Sequence, residues 1–185
     1  MNTSHIKTAR GFTLIEALIA ISILLVGVTG ALTAASQGIT SATYSKEDVI
    51  AFNLAQEAIE TVRNTRDNNG ISRVNWLTGI ANSGDPCEIG ATSCMVDVND
   101  SSGIFLHSCG GINACPPLKQ DPNTGAYGYN ASWPNSPYTR TVTITQPAQQ
   151  LFNSDQIVVT VKISWSHGLS SRSFTAQENL YNWQL

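Results

Sequence analysis

The sequence predicts an α+β fold: a long N-terminal helix packed on a C-terminal antiparallel β-meander, with a disulfide-bearing loop region between them. Three observations carry this expectation. Residues 12–32 are almost entirely apolar, with Glu16 their only charge, and helical patterning continues beyond them to about residue 66. Residues 138–180 hold alternating segments of strand character. The 4 cysteines all fall within residues 87–115.

The N-terminal run comes first. A bilayer core about 30 Å thick needs about 20 helical residues, so residues 12–32 are long enough to span once. Lys7 and Arg10 precede the run, and no base follows it before Lys46. The positive-inside rule then predicts a cytoplasmic N-terminus and an external C-terminal part. Glu16 is the anomaly, since a carboxylate inside a spanning helix costs roughly 2.5–3.5 kcal/mol on insertion scales. A secretory signal peptide is one reading, with small residues at 33–36 as a cleavage site. The run is longer than a usual signal h-region. A plain single-span anchor leaves Glu16 without a reason.

Past the apolar run, Phe52, Ala55, Ile59 and Val62 step by three and four and predict a buried stripe, with Asn53, Glu57, Glu60 and Arg63 between them. Residues 66–70 supply stop signals, with Gly70 as the expected left-handed terminator. A helix over residues 12–66 would be roughly 80 Å long at 1.5 Å per residue. Gly27, Gly30 and Gly38 weaken it by about 1 kcal/mol each relative to alanine. They read either as small residues for close helix packing or as a segment that melts.

Residues 70–137 read as loop-rich, with Trp76 and Leu77 as an anchor beneath the loops. Residues 95–98 and 104–106 predict short strands joined by a turn over 99–103. The cysteine spacings are C-x6-C, C-x14-C and C-x5-C, none of them the C-x2-C of a zinc or redox motif. An even number behind an export signal predicts two disulfides. Four cysteines allow three pairings; the local one, Cys87–Cys94 with Cys109–Cys115, is expected, though sequence alone does not choose. In the last third, Tyr138, Val142 and Ile144 share one face of a first strand. Ile157, Val159, Val161, Ile163 and Trp165 share one face of a second. A turn at 167–171 returns a third strand over 172–180, with Phe174 and Leu180 inward.

Composition excludes several functions. Charged residues make up 12% of the chain, about half the share of an ordinary soluble domain. Without residues 1–11, 13 acids face 8 bases, which argues against a nucleic-acid surface. No G-x-S-x-G elbow or H-E-x-x-H helix occurs, and His107 and His167 read as surface residues. No catalytic residue, metal site or cofactor is expected. The stretch Asp97–Gly103 resembles the start of a calcium loop, but Ser102 stands at its sixth place and Ser108 at its twelfth, so it is not an EF-hand. Asn99-Asp100-Ser101 and Asn130-Ala131-Ser132 are glycosylation sequons. Tyr127, Tyr129, Trp133 and Tyr138 read either as an exposed contact patch or as caps on the core.

The residues Arg10-Gly11-Phe12-Thr13-Leu14-Ile15-Glu16 resemble the processing signal of type IV pilins and type II secretion pseudopilins. The resemblance implies cleavage after Gly11 by a prepilin peptidase and N-methylation of Phe12. It implies that Glu16 of one subunit meets the Phe12 amine of its neighbour, a buried charge given a partner. It implies a leader at residues 1–11, a helix at 12–66 whose part 12–32 lies in membrane or filament core, and an extracytoplasmic head at 67–185. Some pseudopilins hold calcium in an irregular loop, for which Asp97, Asp100 and Asp121 are the matching acids; solvated turns are the alternative. Within the family, residues 24–32 and 54–64 and the strand ending at Trp165 look most like a minor pilin of the PilV class. The partners implied are the prepilin peptidase, sibling pilins, a membrane assembly platform and the cytoplasmic membrane. The alternatives are a type II secretion pseudopilin, or a membrane-anchored binding or adhesion domain that never polymerises.

Overall fold

A computed structural model describes residues 11–90, 92–112, 114–147, 155–168 and 170–183. The chain divides into two compact units, Met1–Lys46 and Glu47–Leu185. Helix α1, Leu14–Ile71, runs without a break from one into the other.

In the first unit every described residue up to Ala42 is exposed. The helix opens on an N-cap: the Thr13 hydroxyl accepts the Glu16 backbone N–H at 3.3 Å. Ser22, Thr29, Thr33 and Thr40 donate their hydroxyls to carbonyls one turn back, at 2.8–3.0 Å. An apolar helix thereby carries polar side chains with their hydrogen bonds satisfied internally. The helix continues through Gly27, Gly30 and Gly38, where an added Cβ would meet nothing within 4 Å. Any demand for their smallness therefore comes from outside this chain.

In the second unit, α1 buries Ala51, Leu54, Ala55, Ala58, Ile59 and Val62. The expected stripe is thus shifted. Phe52 stays 45% exposed, packed edge-on to Phe174 with ring centroids 5.9 Å apart. The alanines at the centre of the stripe let helix and sheet approach closely, and the larger ring lies at the rim. The helix ends in a Schellman motif: Val74 N–H bonds Asn69 C=O at 3.1 Å, and Arg73 N–H bonds Gly70 C=O at 3.1 Å. The left-handed residue is Arg73, at φ 56°, not the expected Gly70, which is helical.

The sheet has 7 strands. They are β1 Cys94–Val96, β2 Leu106–Ser108, β3 Pro117–Gln120, β4 Tyr127–Gly128, β5 Asn135–Thr145, β6 Gln156–His167 and β7 Ser170–Tyr181. The three long strands form the expected meander, β5–β6–β7, all antiparallel. The other edge of β5 is shared by two hairpins: β1 meets it at Val142 and carries β2, and β3 meets it at Thr139 and Asn135 and carries β4. The pair β3–β4 was not expected, because two- and four-residue strands held by another strand's edge leave no periodic signal. Inward residues Ile157, Val159, Val161 and Ile163 are all at 0% exposure. Each contributes about 1.5–3 kcal/mol by leaving water. Trp76 and Leu77 are buried under the loops, beside Ile80 and Ala81.

Candidate functional site

The N-terminal end of the described chain places the motif residues on one short stretch. Gly11, Phe12 and Thr13 precede the first helical turn, and Phe12 is 76% exposed. Glu16 stands in that first turn, where a carboxylate interacts favourably with the helix dipole. Its backbone N–H takes the Thr13 cap. The capping role was readable from Thr-x-x-Glu but is masked by the stronger anomaly of a charge among apolar residues. Beyond Glu16, one face after another of α1 is apolar and exposed, including Leu18, Ile19, Ile23, Leu24, Leu25 and Leu32. Among the described residues this is the helix long and apolar enough to cross a membrane. The arrangement offers an apolar helix with a carboxylate in its first turn.

In the second unit the disulfides join Cys87 to Cys94, with Cα atoms 5.1 Å apart, and Cys109 to Cys115, with Cα atoms 4.7 Å apart. Cys87 and Cys94 are fully buried and fasten the turns of 82–90 to β1. The Cys109–Cys115 pair is half-buried and closes the turn after β2.

Asp97, Asp100 and Asp121 line one depression of about 440 Å³ with Asn99, Asn130 and Trp133. Their oxygens are committed to the turns that hold them. Asp97 caps the Asn99 N–H at 3.1 Å, and Asp100 caps that of Ser102 at 2.8 Å and lies 2.9 Å from His107 Nε2. Asp121 takes the Asn123 N–H at 2.9 Å and the Thr124 hydroxyl at 2.7 Å. Donated backbone N–H groups, from Ser102 and Asn123 first, hold the Asp100 and Asp121 carboxyls below the usual range. No group of three or more His, Cys, Asp or Glu side chains converges in metal-holding geometry among the described residues. Beneath lies Gly128, where a Cβ would come within 2.9 Å of Asn99 Nδ2 and 3.1 Å of the Trp133 ring. The Asn99 sequon amide donates to Tyr127 C=O at 2.8 Å, and Asn130 Oδ1 accepts from Ser132.

The aromatic residues favour the reading as caps on the core, since none of Tyr127, Tyr129, Trp133 and Tyr138 is exposed. Tyr138 is a core residue, 5.8 Å from the Tyr127 ring and 5.9 Å from that of Trp165. Burial pushes its hydroxyl pKa up to about 12. Tyr127 and Tyr129 are half-buried against the core. His167 is bonded to Glu47 at 2.8 Å, and the other Glu47 oxygen accepts Trp165 Nε1 at 3.1 Å.

Arg140 is the residue that sequence reading passed over. It shares the parity of Tyr138 and Val142 on β5 and so points inward. Its guanidinium, at 0% exposure, donates to Leu54 C=O at 3.1 Å, to Glu57 Oε2 at 2.7 Å and to Val96 C=O. One side chain thereby joins α1, β5 and β1. A charge at an inward position of a strand was the signal that could have found it.

No curated protein and no solved structure matches the chain. The prokaryotic N-terminal methylation motif matches residues 6–32, the stretch that holds Gly11, Phe12 and Glu16. With the exposed apolar helix and the two-disulfide α+β fold, this match supports a type IV pilin- or pseudopilin-like subunit.

Proposed function

We propose that the chain is a minor pilin of a type IV pilus-like filament. A prepilin peptidase cuts after Gly11, Phe12 becomes the methylated N-terminus, and the first half of α1 carries the subunit from the cytoplasmic membrane into the filament. The role is structural, with no catalysis by this chain. The observation that carries the reading is a methylation motif leading directly into an unbroken, unburied apolar helix. Such a surface has no partner among the described residues and calls for lipid tails or other helices. Lys7 and Arg10 ahead of the helix favour an N-in, C-out orientation in the membrane. The Glu16 carboxylate then meets the new Phe12 amine of a neighbour, while its backbone N–H takes the Thr13 cap.

Two variants test the carboxylate, and both keep the Thr13 cap, which is made to the backbone of residue 16. Glu16→Gln keeps the polarity and shape of the side chain but removes the charge. Glu16→Leu removes the polarity as well. Both variants are expected to insert and to be cut after Gly11, and both are expected to be depleted from purified filaments relative to the wild type. Normal incorporation of Glu16→Gln would remove the charge-pairing role.

A further inference from the structure

Strand β7 is an open edge. It pairs with β6 from Ser170↔His167 to Tyr181↔Gln156 without a register shift, and no strand among the described residues lies on its other side. Soluble proteins blunt such edges with proline, outward lysine, bulges or short length. The β7 sequence SSRSFTAQENLY uses none of these. Its two charged residues are taken by the helix: Arg172 lies 3.5 Å from Asp48, and Glu178 pairs with Arg63. Alternate backbone N–H and C=O groups from Ser170 to Leu180 therefore stay available for pairing, while the Tyr181 C=O accepts Arg66 Nη1 at 3.2 Å.

A groove of about 610 Å³ runs beside this edge, between α1 and β7. Phe52, Ile59 and Ala176 give it an apolar wall, and Glu60, Arg63 and Glu178 a charged one. Glu60 and Glu178 share the single guanidinium of Arg63, which leaves one carboxylate charge uncompensated. The Phe52 ring is 45% exposed into this space.

We propose that β7 receives an extended strand from another protein chain, whose groove-facing side chains alternate apolar and basic. Strand addition draws affinity from main-chain hydrogen bonds and specificity from pockets that take every second side chain. Here the open edge supplies the first and the groove the second. An apolar side chain meets the Phe52 face, and a base meets the uncompensated Glu60–Glu178 charge. A second copy pairing β7 with β7 fits less well. The charged side chains it would bring, Arg172 and Glu178, are already bonded to their own helix.

The test uses the full-length chain in detergent micelles and a fluorescent peptide of about nine residues, long enough at 3.3–3.4 Å per residue to span most of the edge. The peptide alternates threonine with leucine and places one lysine at the centre of the leucine face. Saturable binding is expected, weakened roughly tenfold when glutamate replaces the lysine. Hydrogen exchange at β7 is expected to slow on binding, with the outer edge of β2 unchanged. Glu60→Lys, an exposed site, should reverse the charge preference, and Phe52→Ser should weaken both peptides. Absent binding, a charge preference that survives Glu60→Lys, binding blind to Phe52→Ser, or protection away from β7 would each overturn the proposal. Concentration-dependent self-association that protects β7 without peptide would give the edge to a second copy and overturn it as well.

Discussion

Arg140 takes a full positive charge into a place without water, where its stability rests on Glu57 and two carbonyls. Removing one partner of a buried pair costs about 3–5 kcal/mol when the other is left uncompensated. Arg140→Met is expected to cost about 3 kcal/mol, toward the low end, because the Glu57 side chain is 31% exposed and regains water. Urea unfolding of the second unit measures it, and a cost under about 1 kcal/mol would show that the bonds are replaceable. Tyr138 makes a different prediction. Its raised pKa means that its stabilisation is complete below the ordinary tyrosine value of 10.0 and is lost as pH rises through about 12. Tyr138→Phe should flatten the alkaline fall in stability across that window, and an unchanged fall would place the titration elsewhere. Arg73 pays the left-handed penalty at the end of α1, roughly 1–2 kcal/mol for an L-residue. Arg73→Gly should raise the melting temperature, after part of the gain is offset by the freer unfolded chain.

These residues also show what the sequence made legible. Arg140 was legible, since alternation alone turns it inward. Arg73 was not: helix termination there depends on the bonds Val74 and Arg73 make back into the last turn, and Gly70 gave the stronger composition signal. The Thr13–Glu16 cap was legible as a pattern and lost to a larger anomaly.

The elements divide in the same way. Strands β5, β6 and β7 and helix α1 carry their own periodicity, so their existence and pairing order follow from local pattern. The hairpins β1–β2 and β3–β4 exist because β5 offers them an edge, and only the first has enough apolar residues to announce itself. The disulfides compensate for the weak local structure around them. Each closes a short loop, of sequence separation 7 or 6, for which the chain-entropy account gives roughly 2–3 kcal/mol. Cys87 and Cys94 also fill core volume at 0% exposure, and Cys109 and Cys115 are only half-buried. Replacing Cys87 and Cys94 together by serine should therefore lower stability more than replacing Cys109 and Cys115. Equal losses in denaturant titrations would reduce both bridges to loop closure. In α1, the three glycines have open space around them, so alanine is expected to stabilise the helix by about 1 kcal/mol at each. If Gly27→Ala and Gly30→Ala leave filament assembly intact, neither close packing nor local melting at those positions is needed.

At the scale of the whole molecule, the buried core begins at Ala51 and ends at Leu180, wholly within the second unit. The first unit contributes no buried residue among those described up to Ala42. A chain built this way stores its folding energy in one unit and offers the other to its surroundings. Residues 47–185 produced alone are expected to fold without detergent, with both disulfides formed, and to show a cooperative thermal transition. The full chain is expected to require lipid, detergent or sibling helices to stay dispersed. The N-terminal unit was the most legible part of the sequence, because its methylation motif and apolar run are written in residue type and length rather than in contacts. The open edge of β7 was invisible there, since an edge is defined by which strand is missing beside it.

The central claim is that this chain is cut after Gly11 and works through the helix that cut exposes. Mass spectrometry of the N-terminus of protein recovered from membranes and from shed filaments tests it most directly. A chain that begins at a methylated Phe12 is expected in both fractions. A start near Ser36 would mean an ordinary secreted domain, and an intact Met1 a plain anchor. Either would contradict the filament reading: the first removes Glu16 with the signal, and the second leaves its carboxylate without a partner amine.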